Sequence, residues 1–226
     1  MSLFRPSPRF EGLPASGFAV FAIEDRDVRR QAILTTFHPP LKTLGEDLLA
    51  ELEPAEGESQ PAKPLHVHLP RLDWPRGYQP FCTWLALSRE AHGYQAGPQL
   101  NVGIHADHVA VRLGWDTGSD RFGRFEFLCR RGDLGLELKR LASEHDLAFR
   151  VYAAADWPEG SRRVFESRDA LEQSFHEVAR RGVWWEIGSR YEVPLGLPLL
   201  CSAGLGTETA RIFRALLPIY DRIAGH

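Results

Sequence analysis

Residues 100–115 read LNVGIHADHVAVRLGW, and this stretch decides the fold. Apolar and polar residues alternate on both sides of Ala106 and Asp107, so every second side chain falls on the same face. Alternation with period two indicates a strand, and a short polar break between two such arms predicts a β-hairpin. We expect the face with Trp115 to be buried, because an exposed apolar ribbon would aggregate. We expect the opposite face, with the histidines and Arg112, to point outward.

Segments with strand or helix patterns lie on both sides of the hairpin. The apolar run at 18–23 predicts a buried strand, and residues 183–193 predict another. Apolar residues at helical spacing predict helices that cover the sheet. These helices are expected at 25–53, 133–145, 167–181 and 207–224. The fold class is therefore α+β, a single domain in which helices cover a mainly antiparallel sheet centred on 81–115 and 183–193.

Two of the expected helices contain prolines at matching positions. Ile33 precedes Pro39 by the same spacing as Ile212 precedes Pro218. We expect Pro39 and Pro40 to break or kink the first helix. The shared spacing is compatible with an internal duplication, and also with a chance similarity between two apolar helices.

Composition predicts one domain with a short arm. Residues 1–16 carry several prolines, serines and arginines and predict an irregular N-terminal arm, which leaves 17–226 as one domain. The 226 residues, 43% of them hydrophobic, suffice for a sizeable core. Three cysteines without a CxxC motif favour a reduced, cytoplasmic protein. No apolar stretch is long enough to span a membrane, and the N-terminus lacks a signal-peptide core.

Three segments resemble a known group of proteins. Residues 18–48, 92–111 and 216–223 together are similar to the YktB-like family, an uncharacterised group of bacterial proteins. Six positions match its pattern in and before the hairpin: Trp84, Gly93, Tyr94, Pro98, Gly103 and His108. His105 departs from it, since the family usually has an aromatic residue there. The resemblance implies helices packed against an antiparallel sheet, and it implies no activity.

The loop at 71–84 is the first candidate site, because guanidinium and aromatic groups alternate along it. Aromatic faces stack on bases and arginine pairs with phosphate, so the pattern predicts a groove for a nucleotide or a single-stranded nucleic acid. The alternative is a surface loop whose aromatic residues pack on the core. The groove would be lined by Arg71, Trp74, Arg76, Tyr78, Tyr94 and His108.

The histidines are the second candidate, a site for a divalent metal. His66 and His68 are spaced to share one face of a strand. His105 and His108 flank the turn and would face each other with Cβ atoms about 5 Å apart. One ion held by both pairs would serve a metal-dependent hydrolase. The simpler interpretation is that histidines beside a turn are solvated and that no cofactor is bound.

Charge narrows the partner classes without selecting one. The formal charge of −3 gives no global attraction to nucleic acid or to acidic membranes, so any phosphate recognition must be local. The first hypothesis is a binding protein without catalysis. A protein-partner adaptor stays open, and so do a monomer and a homodimer. Cys82 and Cys129 are weak candidates for a nucleophile, since Cys82 lies in an apolar strand.

Overall fold

The computed structural model describes residues 9–52, 63–73, 79–153, 163–165 and 171–225. The strands in these ranges are β1 (His66–His68), β2 (Cys82–Ser88), β3 (Gln99–His105), β4 (His108–Asp116), β5 (Ala148–Ala153), β6 (Arg163–Phe165) and β7 (Gly182–Glu192). They form one seven-stranded sheet in the order β1-β2-β3-β4-β7-β5-β6. All neighbouring strands in it are antiparallel.

Helices from both halves of the chain pack against this sheet. In the described ranges the α-helices are α1 (Arg26–Leu52), α2 (Asp120–Arg131), α3 (Leu134–His145), α4 (Leu171–Arg181), α5 (Leu197–Leu200) and α6 (Gly204–Ala224). The predicted α+β fold is therefore confirmed. No helix within the described residues has the length and apolar character that crossing a bilayer requires.

The central hairpin forms as predicted, with β3 and β4 joined at residues 106–107. Its apolar face is completely buried, and α6 contacts both strands. α1 packs on the same side of the sheet. Its Gly45 lies so close to Val67 of β1 that an added Cβ would be 2.7 Å from Val67 Cγ1. At the other end, Trp115 packs edge-on against Phe125 of α2, with ring centroids 4.6 Å apart. The apolar face of the sheet and the helices thus form one core.

Residues 18–23 do not form the predicted strand. They belong to a 3₁₀-helix, Ala15–Ala22, in which Phe18 and Phe21 are buried. Side chains three residues apart lie on the same side of a 3₁₀-helix. Both rings pack on Phe37 of α1, at centroid distances of 5.7 and 5.8 Å. The apolar run therefore buries two rings against a helix instead of joining the sheet.

α1 continues through Pro39 and Pro40, so the predicted break is wrong. Its first turn is capped by Asp25, whose Oδ1 accepts hydrogen bonds from the backbone N–H groups of Asp27 and Val28 at 3.0 and 2.9 Å. Three leucines beyond the prolines are fully buried: Leu41, Leu44 and Leu48. Their burial against the sheet offsets the backbone cost of the prolines. The internal duplication stays a prediction.

The second face of the hairpin is also buried, so the expectation that it points outward is wrong. His108 is 1% exposed and Arg112 is 9% exposed. The strand register places the side chains of this face next to polar residues of the neighbouring strands. We call this surface the polar face of the sheet, and it includes His66, His68, Trp84, Gln99, Asn101, His105, His108, Arg112, Arg150, Tyr152, Trp184, Glu186 and Arg190.

Candidate functional site

A closed hydrogen-bond network around Glu186 forms the centre of the polar face. Glu186 Oε2 accepts from Arg112 Nη1 at 2.6 Å and from Trp184 Nε1 at 2.9 Å. Its Oε1 accepts from the Tyr152 hydroxyl at 3.1 Å. Arg112 Nε in turn donates to Asn101 Oδ1 at 3.2 Å. These bonds compensate the burial of both charges and hold the side chains in fixed positions.

Arg112 remains charged although it is buried. Burial lowers the pKa of its guanidinium, but Glu186 and the other acidic neighbours outweigh that effect, so the net pKa is raised. Gly103 provides the space for this group, because a Cβ there would lie 2.7 Å from Arg112 Nη2. Since Gly103 is paired with Trp84 of β2, the guanidinium reaches from β4 across β3. A fixed cation therefore lies near the middle of the face.

Three rings from three separate segments meet near β1. Tyr94, in the 3₁₀-helix Tyr94–Ala96, stacks on His68 with ring centroids 4.3 Å apart and planes 15° apart. Trp84 Nε1 donates a hydrogen bond to the Tyr94 hydroxyl at 3.2 Å. All three side chains are half-buried, so each keeps some surface open to solvent. We call Trp84, Tyr94 and His68 the aromatic cluster.

Around the aromatic cluster, the pKa of His68 is lowered and a carboxylate offsets two nearby positive charges. Burial lowers the pKa of His68, and the nearby His66 and His92 lower it further. Lys63 Nζ and Arg121 Nη2 both approach Glu90 Oε1, at 3.4 and 3.9 Å. Their positive charges are partly balanced by this carboxylate.

The two histidines of the hairpin lie opposite each other, as the sequence predicts, and their rings stack. The rings of His105 and His108 lie 4.2 Å apart between centroids and within 6° of parallel. His108 Nδ1 lies 2.7 Å from Asp107 Oδ1. A carboxylate can only accept a hydrogen bond, so Nδ1 carries the proton and Nε2 presents its lone pair. We call His105 and His108 the imidazole pair.

His108 is held in its neutral form. Burial lowers its pKa to about 4, and the guanidinium groups of Arg190 and Arg112 also lower it, against the opposing effect of Asp107. Arg190 Nη2 lies 3.6 Å from Asp107 Oδ2. His108 Nε2 is buried and has no hydrogen-bond partner among the described residues. The site thus presents a buried, unprotonated acceptor.

The four histidines proposed as metal ligands do not form one site. His68 is paired with Ala86 of β2, and His105 is paired with Cys82 of the same strand. These positions are about 10 Å apart across the strands and about 13 Å apart along them. A single ion cannot contact both pairs. Within the described ranges, no group of three or more histidine, cysteine, aspartate or glutamate side chains has a metal-binding arrangement.

The residues expected to line the groove have different outcomes. Tyr94 packs on His68 of the polar face and is half-buried, whereas His108 belongs to that face and is fully buried. Arg71 is exposed, and its carbonyl oxygen accepts a hydrogen bond from Arg30 Nη2 at 2.9 Å. The predictions for three loop positions fall outside the described residues: Trp74, Arg76 and Tyr78. Burial raises the pKa of the Cys82 thiol to about 12, which makes it a poor nucleophile.

Sequence reasoning missed much of the central network. Glu186 is completely buried, and Arg150 and Tyr152 are nearly so. Part of the signal was present, because Arg150 and Tyr152 alternate with Val151, and Glu186 and Arg190 lie four residues apart in β7. That alternation places them on one face of β7 and β5, opposite Trp185 and Val151. The pairing of β7 with β4, and of β5 with β7, was the missing information.

Comparison with known proteins finds a family match for part of the chain. Residues 14–120 match DUF1054, described as a domain of unknown function. The resemblance to an uncharacterised bacterial family is thereby confirmed over these residues. The DUF1054 match contains the aromatic cluster and the imidazole pair, whereas Glu186 and Arg190 lie outside it. No activity comes with the match.

Similar proteins carry a family name without a function. The chain is 30% identical over 100 residues to a UPF0637 protein of Bacillus cytotoxicus. The aligned region covers 44% of this chain and 46% of that protein. It is 29% identical over 102 residues to a UPF0637 protein of Oceanobacillus iheyensis, covering 45% and 47%. A UPF0637 protein of Bacillus thuringiensis is 28% identical over 100 residues, covering 44% and 46%. The chain therefore spans about half the length of the curated relatives it matches.

Proposed function

We propose that this chain is a binding protein for a nucleotide or a short single-stranded nucleic acid. The observation that carries the proposal is the aromatic cluster, in which rings from β1, β2 and the Tyr94 segment converge on one half-open surface. Bases stack on such platforms without a requirement for a particular sequence. The hydrogen bond between Trp84 and Tyr94 holds two of the rings in place before a ligand arrives, which reduces the entropy cost of binding.

Two features favour a phosphate-bearing ligand over a purely apolar one. Arg71 is exposed on the segment that follows β1, the strand that carries His68. Arg112, fixed by Glu186, places its Nη2 over Gly103, the residue paired with Trp84. Guanidinium groups near a stacking platform are the usual complement of a nucleotide.

Isothermal titration calorimetry with adenosine 5′-monophosphate and with a single-stranded oligouridylate tests the proposal at low salt. We expect both to bind the wild-type protein. Trp84→Ala should weaken binding at least about fivefold, because stacking contributes about 1–3 kcal/mol per base. Phe127→Ala is the matched control, since Phe127 is an exposed aromatic residue of α2, 57% accessible. If the wild-type protein binds neither probe, or if Trp84→Ala and Phe127→Ala bind a probe with equal affinity, the proposal is contradicted.

The metal-dependent hydrolase has less support from the geometry. The proposal of one ion bound by all four histidines requires the two pairs to converge, and the register holds them apart. The protein-partner adaptor stays a prediction.

A further inference from the structure

Two large apolar side chains protrude into solvent from α2 and α3. Phe127 is 57% exposed and Leu136 is 73% exposed. Each is flanked, two positions away on both sides, by buried residues of its own helix: Phe125, Cys129, Leu134 and Leu138. Two positions in an α-helix correspond to a rotation of about 200°, so both side chains point directly away from the core.

α2 and α3 lie next to each other on the surface of the molecule. Only residues 132–133 separate them in the chain, and both helices also contact α6. On the inner side of α2, Phe125 packs on Trp115 of the apolar face of the sheet. The outer sides of the two helices therefore lie opposite to the polar face. We call this region the α2–α3 surface, and it includes Arg124, Phe127, Arg130, Arg131, Leu136, Lys139 and Arg140.

The α2–α3 surface has an excess of positive charge. The carboxylates of residues 124–144 are all paired: Glu126 with Arg130, Glu144 with Arg140, and both Asp133 and Glu137 with Arg222 of α6. Three cations of the same range have no carboxylate within 4 Å among the described residues: Arg124, Arg131 and Lys139. The guanidinium of Arg131 lies over the ring of Phe127, 5.5 Å from its centroid. Excess cations therefore adjoin the exposed apolar side chains.

This combination of charge and shape fits an anionic lipid bilayer. Helices that lie on a bilayer place aromatic and aliphatic side chains between the lipids, while lysine and arginine contact the anionic headgroups. A second copy of this chain fits poorly, because a two-fold dimer would bring the same cations face to face. A protein partner would need a pocket for each protruding side chain, whereas a bilayer adapts to them.

We propose that the α2–α3 surface docks this protein on an anionic membrane. Phe127 and Leu136 enter the headgroup region, and the three excess cations contact lipid phosphate and carboxylate groups. The formal charge of the whole chain is −3, so the attraction is local to this surface. Docking in this orientation leaves the polar face directed toward the solution. The inference uses residues that the proposed function does not use, so either can fail without the other.

Sedimentation of the full chain with lipid vesicles tests the inference. We expect the wild-type protein to bind vesicles of phosphatidylcholine and phosphatidylserine at least about tenfold more tightly than vesicles of phosphatidylcholine alone. Binding to the anionic vesicles should weaken as salt is added, because exposed charges are screened. Equal binding to both kinds of vesicle overturns the inference. Binding to neither also overturns it and leaves an acidic protein partner as the alternative.

Substitution of single arginines assigns the binding to this surface. Arg124→Gln and Arg131→Gln should each weaken binding to the anionic vesicles about fivefold, which is the effect of one cation close to the bilayer. Arg214→Gln is the matched control, because it removes the same charge from an exposed side chain of α6 that pairs with Glu51 of α1. If Arg214→Gln weakens binding as much as Arg124→Gln does, the inference is wrong.

The contribution of the apolar side chains needs a separate variant. Phe127→Ala should weaken binding to the anionic vesicles at least about fivefold, because it removes a ring that leaves water on docking. Phe127 is exposed, so the fold should tolerate its replacement. Unchanged vesicle affinity in Phe127→Ala overturns the docking described, since the protein would then be held by charge alone.

Discussion

At the scale of the residue, His108 links the polar face to the stability of the fold. Its pKa is lowered from 6.5 to about 4, mainly by burial, with Arg190 and Arg112 adding to the effect and Asp107 opposing it. Between these two pH values the unfolded chain binds a proton that the folded chain does not. The free energy of unfolding should therefore fall as pH drops through this window, by at most about 3 kcal/mol.

Urea denaturation of the wild type and of His108→Asn at pH 7 and pH 5 measures this contribution. The variant lacks the imidazole, so its free energy of unfolding should fall less between the two pH values than that of the wild type. The comparison is needed because burial also lowers the pKa of His38 and His68, which add to the same trend. Equal losses in the two proteins would show that His108 does not have the lowered pKa.

At the scale of the element, the spacing of apolar residues predicts those helices and strands whose form depends on neighbouring residues alone. The hairpin follows from period-two alternation around a short polar break, and β3 and β4 have the expected register. The run at 18–23 has no polar positions to reveal a period, so strand and helix could not be distinguished. Its actual form, a 3₁₀-helix, depends on Phe37, which lies on a separate helix. Contacts of this kind are absent from the local sequence.

Glycine in β7 shows how closely the central strands approach. A Cβ on Gly188 would overlap the carbonyl oxygen of Val111 and lie 2.6 Å from Arg112 Cα. We expect Gly188→Ala to lower the free energy of unfolding by about 1–3 kcal/mol, because backbone atoms must move. Gly123→Ala is the matched control at an exposed position of α2, where a Cβ would meet nothing within 4 Å. It should raise stability by up to about 1 kcal/mol, since alanine favours helix. Urea denaturation measures the free energy of unfolding of both variants. Equal changes in Gly188→Ala and Gly123→Ala would contradict the close packing of β7 on β4.

At the scale of the whole molecule, the fold could be predicted and the network on its polar face could not. Most helices and strands carry their own periodicity, so their types follow from the sequence, whereas the apolar run at 18–23 does not. The pair of Arg112 and Glu186 joins residues 74 positions apart, and it exists only because β7 is inserted between β4 and β5. The hairpin histidines were identified, but their burial depends on the whole fold.

The balance of charge over the whole molecule sets how salt should affect binding. The formal charge is −3, so an oligonucleotide would meet no general attraction and would have to bind through local cations. Among the described residues near the aromatic cluster, Lys63 and Arg121 approach Glu90, and Arg71 is the exposed cation that we expect to contact phosphate. Titration with single-stranded oligouridylate between about 50 and 200 mM salt should therefore give a shallow slope of log affinity against log salt, about −0.7 per phosphate contact. Arg71→Ala should make the slope shallower by about 0.7, whereas Arg140→Ala on α3, whose side chain pairs with Glu144, should leave it unchanged. A steep slope in the wild type, or an identical slope in Arg71→Ala, would show that binding depends on a different charged surface.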